Sequence, residues 1–121
     1  MTFKIKRVYE PATPADGMRV LVDRLWPRGV KKTDAHLALW MKDVAPSTKL
    51  RVAFNHEAEK FPQFRRGYTK ELAGNPAVTE LRKLGQRQRV TLVYGARDPK
   101  VNHALVLQSV LRRGASRPGN D

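Results

Sequence analysis

Val20-Leu-Val-Asp-Arg-Leu-Trp-Pro-Arg-Gly29 is the stretch whose reading decides the fold. Val20, Leu21 and Val22 form an aliphatic, β-branched run that suits a buried strand. The chain then turns into a loop dense with functional groups: Asp23, Arg24, Trp26 and Arg28, with Lys31 just beyond. Pro27 and Gly29 prevent regular continuation, since proline lacks an N–H and glycine frees the backbone. In α/β proteins, loops leaving the carboxyl ends of strands are where ligands bind. The same ten residues thus predict a strand and the position of a site.

Outward from this stretch, Phe3 to Tyr9 alternates Phe3, Ile5 and Arg7 with Lys4, Lys6 and Val8, a half-buried strand near a sheet edge. Met18 to Val22 is the second strand. Thr33 or Asp34 can cap a helix with Leu37, Trp40, Met41 and Val44 at helical spacing, closed by Pro46. Ser47 caps a short helix that carries Leu50, Val52 and Phe54 inwards. Phe61, Phe64, Tyr68 and Leu72 form the stripe of a third helix, started near Pro62 and ended by Gly74. Asn75-Pro76 restarts a helix with Val78, Leu81 and Leu84 inside and Gly85 at its end. Val90 to Tyr94, apolar apart from Thr91, is a buried central strand. Asp98-Pro99 reads as the cap and first turn of a last helix, which presents Val101, Leu105, Val106 and Leu111 to the sheet.

The central helices provide the long crossover that makes Val20–Val22 and Val90–Tyr94 parallel, adjacent or one strand apart. The expected architecture is a small three-layer α/β domain, residues 1–113, with a short, mainly parallel sheet. The loops after the two strands emerge side by side at one edge. Residues 114–121 read as a loose tail.

A chain of 121 residues holds one core. No apolar run reaches the roughly 18 residues of a membrane span, and Lys4, Lys6 and Arg7 interrupt any leader-like segment at once. With no cysteine, disulfides, thiol nucleophiles and thiolate metal sites are excluded, a composition that fits the cytoplasm. The formal charge is +13, of which the last ten residues supply only +2 (three Arg, one Asp). A body this basic attracts phosphates, nucleic acid or acidic surfaces through its field. Weak, non-specific nucleic-acid binding is expected from this alone, and a membrane is not among the expected partners.

The loop Tyr94-Gly-Ala-Arg-Asp-Pro99 joins the central strand to a helix start, where free N–H groups favour an anion. Arg97 can grip a phosphate or carboxylate there. Asn102 is either a ligand contact or a local hydrogen-bonding group, and Asp98 is first of all a cap. Asp23 is a base or ligand orienter, or else the partner of a structural Asp–Arg pair. Trp26 and Tyr94 are candidates to contact a planar ring, although a lone Trp beside proline is more often a core residue. Arg24, Arg28, Lys31 and Lys42 repel one another unless carboxylates or a bound anion compensate. His56 is a candidate acid or base, with a solvated role as the plainer alternative. His36, His56 and His103 lack metal-ligand spacing, so no metal is assigned. Neither a P-loop nor a G-x-G-x-x-G is present, and no cofactor is expected.

These pieces together resemble the YeaO-like proteins, small bacterial members of a domain-of-unknown-function family. The resemblance rests on Val22-Asp-Arg-Leu-Trp-Pro-Arg-Gly-Val30, Leu39-Trp-Met-Lys-Asp-Val-Ala-Pro-Ser47, Phe54-Asn-His56, Phe64-Arg-Arg-Gly-Tyr68 and Thr91-Leu-Val-Tyr-Gly-Ala-Arg-Asp98, with Asn102-His-Ala104. It implies a compact α/β domain whose motif residues include Asp23, Arg24, Trp26, Arg28, Trp40, Lys42, His56, Tyr68, Asp98 and Asn102. Glu57-Ala58 departs from the Asp-Pro pair common in the family, and the cysteine of longer relatives is missing. The resemblance carries no activity with it. The functional expectation is therefore binding of a small anionic ligand, phosphate-bearing or nucleotide-like, with possible catalysis by Asp23 and His56. A basic nucleic-acid-binding or regulatory module is the alternative.

Overall fold

The computed structural model describes residues 3–115. Four strands form one sheet, β1 (Phe3–Arg7), β2 (Met18–Leu21), β3 (Leu39–Trp40) and β4 (Val90–Tyr94), in the order β1-β4-β2-β3. All pairings are parallel. The central β4 aligns Leu92 with Val20 and Val93 with Leu21, while Val22 continues the ladder by donating to the Val93 carbonyl at 3.0 Å. The two apolar strands are thus parallel neighbours, and the loops after them leave by the same edge.

The helices are α1 (Lys32–Ala35), α2 (Thr48–Phe54), α3 (Phe61–Leu72), α4 (Pro76–Arg87) and α5 (His103–Ala115). Side-chain alternation along the strands divides the core between two sheet faces. Phe3, Val20, Val22, Val90, Leu92 and Tyr94 pack with Phe54, Phe64, Tyr68, Leu81, Leu107 and Leu111 of the helices. Val8, Leu21 and Val93 face the other way, against Ala35 and the partly buried Trp26, Leu37 and Trp40. That third layer is thin, consisting of the α1 turn and the loops around two tryptophans. It also buries a charge cluster. Asp16 accepts from Arg19 Nη1 at 2.7 Å and from Lys6 Nζ at 3.1 Å, while Arg19 Nε donates to the Ala35 carbonyl.

Several expectations are corrected here. The stretch from Thr33 to Val44 is not one helix. α1 ends after one turn at His36, whose φ is 50°, and Leu39–Trp40 pair with Val20–Leu21 as β3. Leu37 and Trp40 face one side of the sheet, while Met41 and Val44 serve the other, so their helical spacing describes no common face. The open backbone groups of β2 favour a strand instead: Ala38 N donates to the Arg19 carbonyl and Met41 N to that of Leu21.

Val52 is exposed, because residues two apart on a helix such as α2 cannot share a face with Leu50 and Phe54. Gly85 lies inside α4, where a Cβ would collide with the Phe3 ring, so it permits close packing and ends nothing. Asp98 is not the cap of α5. Its carboxylate accepts from Lys100 N, and the helix begins at His103 with Asn102 in the cap position. Leu107, not Leu105, is the fully buried leucine in the middle of α5. α5 runs to Ala115, two residues past the expected domain end, and 116–121 lie outside the described residues.

Neither Thr33 nor Asp34 caps α1, whose cap position is Lys31, and Val101 precedes α5, but three other signals are realised. Ser47 Oγ accepts from Leu50 N, Asn75 Oδ1 accepts from Ala77 N, and Gly74 takes φ 77° after α3.

Candidate functional site

Parallel strands place their following loops at one edge, and a cleft of about 540 Å³ opens there. The loop after β2 contributes Asp23 to Arg28, the loop after β4 contributes Gly95 and Ala96, and the start of α5 adds Asn102 and His103. α2 and the turn after it bring Arg51, Val52, Phe54, Asn55 and His56 to the mouth, and Tyr9 reaches in from the loop after β1. The volume falls within the range of small-molecule sites.

Asp23 holds the floor together. Its Oδ2 accepts the Gly95 N–H at 2.9 Å, and its Oδ1 lies 2.9 Å from His103 Nε2. Both Oδ1 and Nε2 are buried and neither has a hydrogen-bond partner among the described residues, so this contact is a close approach outside hydrogen-bond alignment. It is an ion pair only when the imidazole carries a second proton. Gly95 allows the arrangement, since a Cβ there would press on Asp23 Oδ2 at 3.0 Å. Asp23 thus supplies, from within the chain, the anion expected at the loop leading to α5. Beneath it, the Tyr68 hydroxyl donates to the Val44 carbonyl, and burial pushes its pKa far above the usual tyrosine range. It remains a donor throughout the physiological range.

Six of the nine expected site residues line this cleft: Asp23, Arg24, Trp26, Arg28, His56 and Asn102. Their tasks differ. Arg24 donates through Nε to the Pro46 carbonyl and through Nη2 to that of Ala45, bracing the loop against the segment before α2. Asn102 accepts from Leu105 N at 3.0 Å and donates to the Asp98 carbonyl at 2.8 Å, so the local hydrogen-bonding role is the one it fills. Trp26 donates to the Val30 carbonyl and meets Trp40 edge-on at 5.4 Å, a rim residue more than a ring platform. Arg28 is exposed, with its backbone carbonyl held by the Tyr9 hydroxyl at 2.9 Å. His56 is exposed beside Phe54 at the end of α2, where Asn55 and His56 both take positive φ.

The other three lie elsewhere. Lys42 Nζ sits 4.2 Å from the Trp40 ring centre, a cation–π contact away from the cleft. Tyr94 is buried in the core, where burial raises its pKa, and contacts no open space. Arg97 is exposed and does not line the cleft.

Sequence reasoning missed Arg51 and the pairing of His103 with Asp23. Arg51 lay on a helix unconnected to either strand-end loop, and only the packing of α2 brings it there. His103 sits at the start of α5, adjacent to the recognised Asn102, and that proximity was its one signal. Among the described residues, no group of three or more His, Asp or Glu lies together as a metal site would require. No described helix is long and apolar enough to cross a membrane.

The comparisons with known proteins agree on the family. The profile described as the inactive DUF488-N3 subclade matches residues 2–120. The uncharacterized protein YeaO of Escherichia coli (strain K12) is 48% identical over 113 residues, covering 93% of this chain and 98% of its own. The uncharacterized proteins Mb3100c of Mycobacterium bovis and Rv3073c of Mycobacterium tuberculosis are each 46% identical over 108 residues, covering 89% of this chain and 92% of theirs. No solved structure gives a significant match. The chain belongs to the inactive DUF488-N3 subclade, whose YeaO-like members are uncharacterised.

Proposed function

For this member of the subclade, we propose a binding domain that holds a small phosphate-bearing ligand at the mouth of the strand-end cleft without turning it over. One observation carries the reading. Arg24, Arg28 and Arg51 line the cleft against one carboxylate, Asp23, which already has Gly95 N–H and His103 as neighbours. No carboxylate pairs with Arg28 or Arg51 among the described residues. The mouth is left with uncompensated positive charge in a concave site, where the field of several cations is focused on an anion. Because Asp23 occupies the Gly95 N–H, the ligand's anion belongs outside it, on Arg28 and Arg51, with His56 alongside.

Binding without turnover is supported by the description of the subclade as inactive and by the absence of any thiol. It is supported also by Asp23 Oδ2, which the Gly95 N–H occupies. A nucleic-acid-binding role would rest on net charge alone, since three arginines line a concave cleft rather than a convex face.

Thermal melts with inorganic phosphate against chloride at matched ionic strength test the reading. A ligand at 100 times its Kd stabilises the folded state by about 2.7 kcal/mol. Phosphate is expected to raise the melting temperature of the parent protein, and Arg28→Ala and Arg51→Ala are each expected to remove most of that gain. Both arginines are exposed, so their ligand-free melts should match the parent's or lie slightly above it, since repulsion is relieved. An absent phosphate response in the parent, or an equal response in all three proteins, refutes the reading.

A further inference from the structure

Among the described residues four large apolar side chains are exposed, and three of them surround one cleft: Tyr9 at 48%, Leu25 at 60% and Val52 at 68%. Single exposed apolar residues are ordinary, but their concentration at the mouth of a pocket marks a contact surface. Each is tied to an arginine of the same cleft. Leu25 follows Arg24, Val52 follows Arg51, and the Tyr9 hydroxyl holds the Arg28 backbone. Apolar and cationic residues thus line the same cleft, and the buried Phe54 and Phe64 add to its apolar wall.

A bare inorganic anion has no use for that apolar surface, and a purely apolar ligand has none for the arginines. The fitting ligand joins a flat apolar body to an anion through a short polar spacer. Building on the anion-binding reading above, we infer that the cleft takes a nucleoside monophosphate, with its base packed against Leu25 and Val52 and its phosphate on Arg28 and Arg51. The dimensions agree, since a cleft of about 540 Å³ lies in the range of sites that hold one small molecule. The base contributes through buried apolar area and the phosphate through charge-assisted hydrogen bonds, so the two halves are separable by substitution.

Titration calorimetry on the full chain tests this with AMP, GMP, CMP and UMP, set against ribose 5-phosphate, inorganic phosphate and adenosine. At least one nucleotide is expected to bind tenfold or more tightly than ribose 5-phosphate. The double variant Leu25→Ser, Val52→Ser is expected to reduce that nucleotide to the level of ribose 5-phosphate while leaving the affinity for inorganic phosphate unchanged. Both side chains are mostly exposed, and an unchanged thermal melt confirms that the variant is folded. Phosphate binding with no gain from any of the four bases overturns the nucleotide assignment and leaves the anion site standing. So does an acidic phosphopeptide that outcompetes every nucleotide. Absence of binding by phosphate and by all four nucleotides removes both.

Discussion

Replacing Asp16 by Asn keeps the side chain's shape and removes its charge, in a place where charge is hard to remove. Asp16 is 2% exposed and Arg19 4% exposed. Both carboxylate oxygens act as acceptors: Oδ2 from Arg19 Nη1, Lys6 Nζ and Thr13 N, and Oδ1 from Lys6 Nζ and the Thr13 hydroxyl. An amide offers one acceptor and one donor, so at least one of these groups then faces a donor. The buried Arg19 charge then has no carboxylate against it, whichever donor the amide oxygen serves. Breaking a buried ion pair by removing one member costs about 3–5 kcal/mol. An unfolding entropy near 2.1 cal/mol/K per residue over 121 residues makes that a fall of about 12–20 °C in melting temperature.

The acid limb provides an independent check. Burial works against the ionised form of Asp16, but hydrogen bonds from Thr13, Lys6 and Arg19 outweigh it and hold the carboxyl well below its ordinary value of 3.8. A depressed folded pKa means stability that is complete above the unfolded value and is lost as pH falls through the folded one. Urea melts from pH 7 down into strong acid should therefore show the parent losing stability below about pH 4. Asp16→Asn should lack that part of the loss. Adding Arg19→Met to Asp16→Asn should recover much of the stability, because the uncompensated cation is gone. A single Asn variant within about 1 kcal/mol of the parent, with the same acid limb, would refute the account of Asp16 as the anchor of the third layer.

Two further outcomes follow from geometry and charge. Gly85→Ala gains helix propensity, but its Cβ meets the Phe3 ring, and the strain of overpacking should lower stability by about 1–3 kcal/mol in a denaturant melt. A gain in stability would mean that Phe3 repacks freely. Duplex DNA should bind weakly at low salt and be released as salt rises, since a +13 body acts through counterion release; sequence-selective binding that persists near physiological salt, read by fluorescence anisotropy, would favour a regulatory role.

By itself, the sequence determined β1, β2 and β4, the caps of α2 and α4 and the edge at which the cleft lies. Val20–Val22 and Val90–Tyr94 are runs too apolar to sit anywhere but the sheet centre, and the helices between them require a crossover that makes them parallel. Ser47, Gly74 and Asn75 are local signals, and each acts on its own backbone within three residues. What failed were inferences from spacing across a turn. Leu37, Trp40, Met41 and Val44 fit a helical period, yet the unpaired edge of β2 drew Leu39 and Trp40 into the sheet and sent the four side chains to opposite faces.

The site divides in the same way. Asp23 and Arg28 could be placed at the strand-end edge because they follow β2, but their partners could not, and His56, just after α2, reaches the cleft only through packing. Only tertiary packing brings Arg51 and Val52 to the mouth, sets Asp23 against Gly95 and His103, spends two donors of Arg24 on the carbonyls of Ala45 and Pro46, and carries Lys42 off to Trp40. Residue type and local period report what a side chain can do. Which donor meets which acceptor depends on contacts between segments tens of residues apart, and those are decided when the two sheet faces are filled.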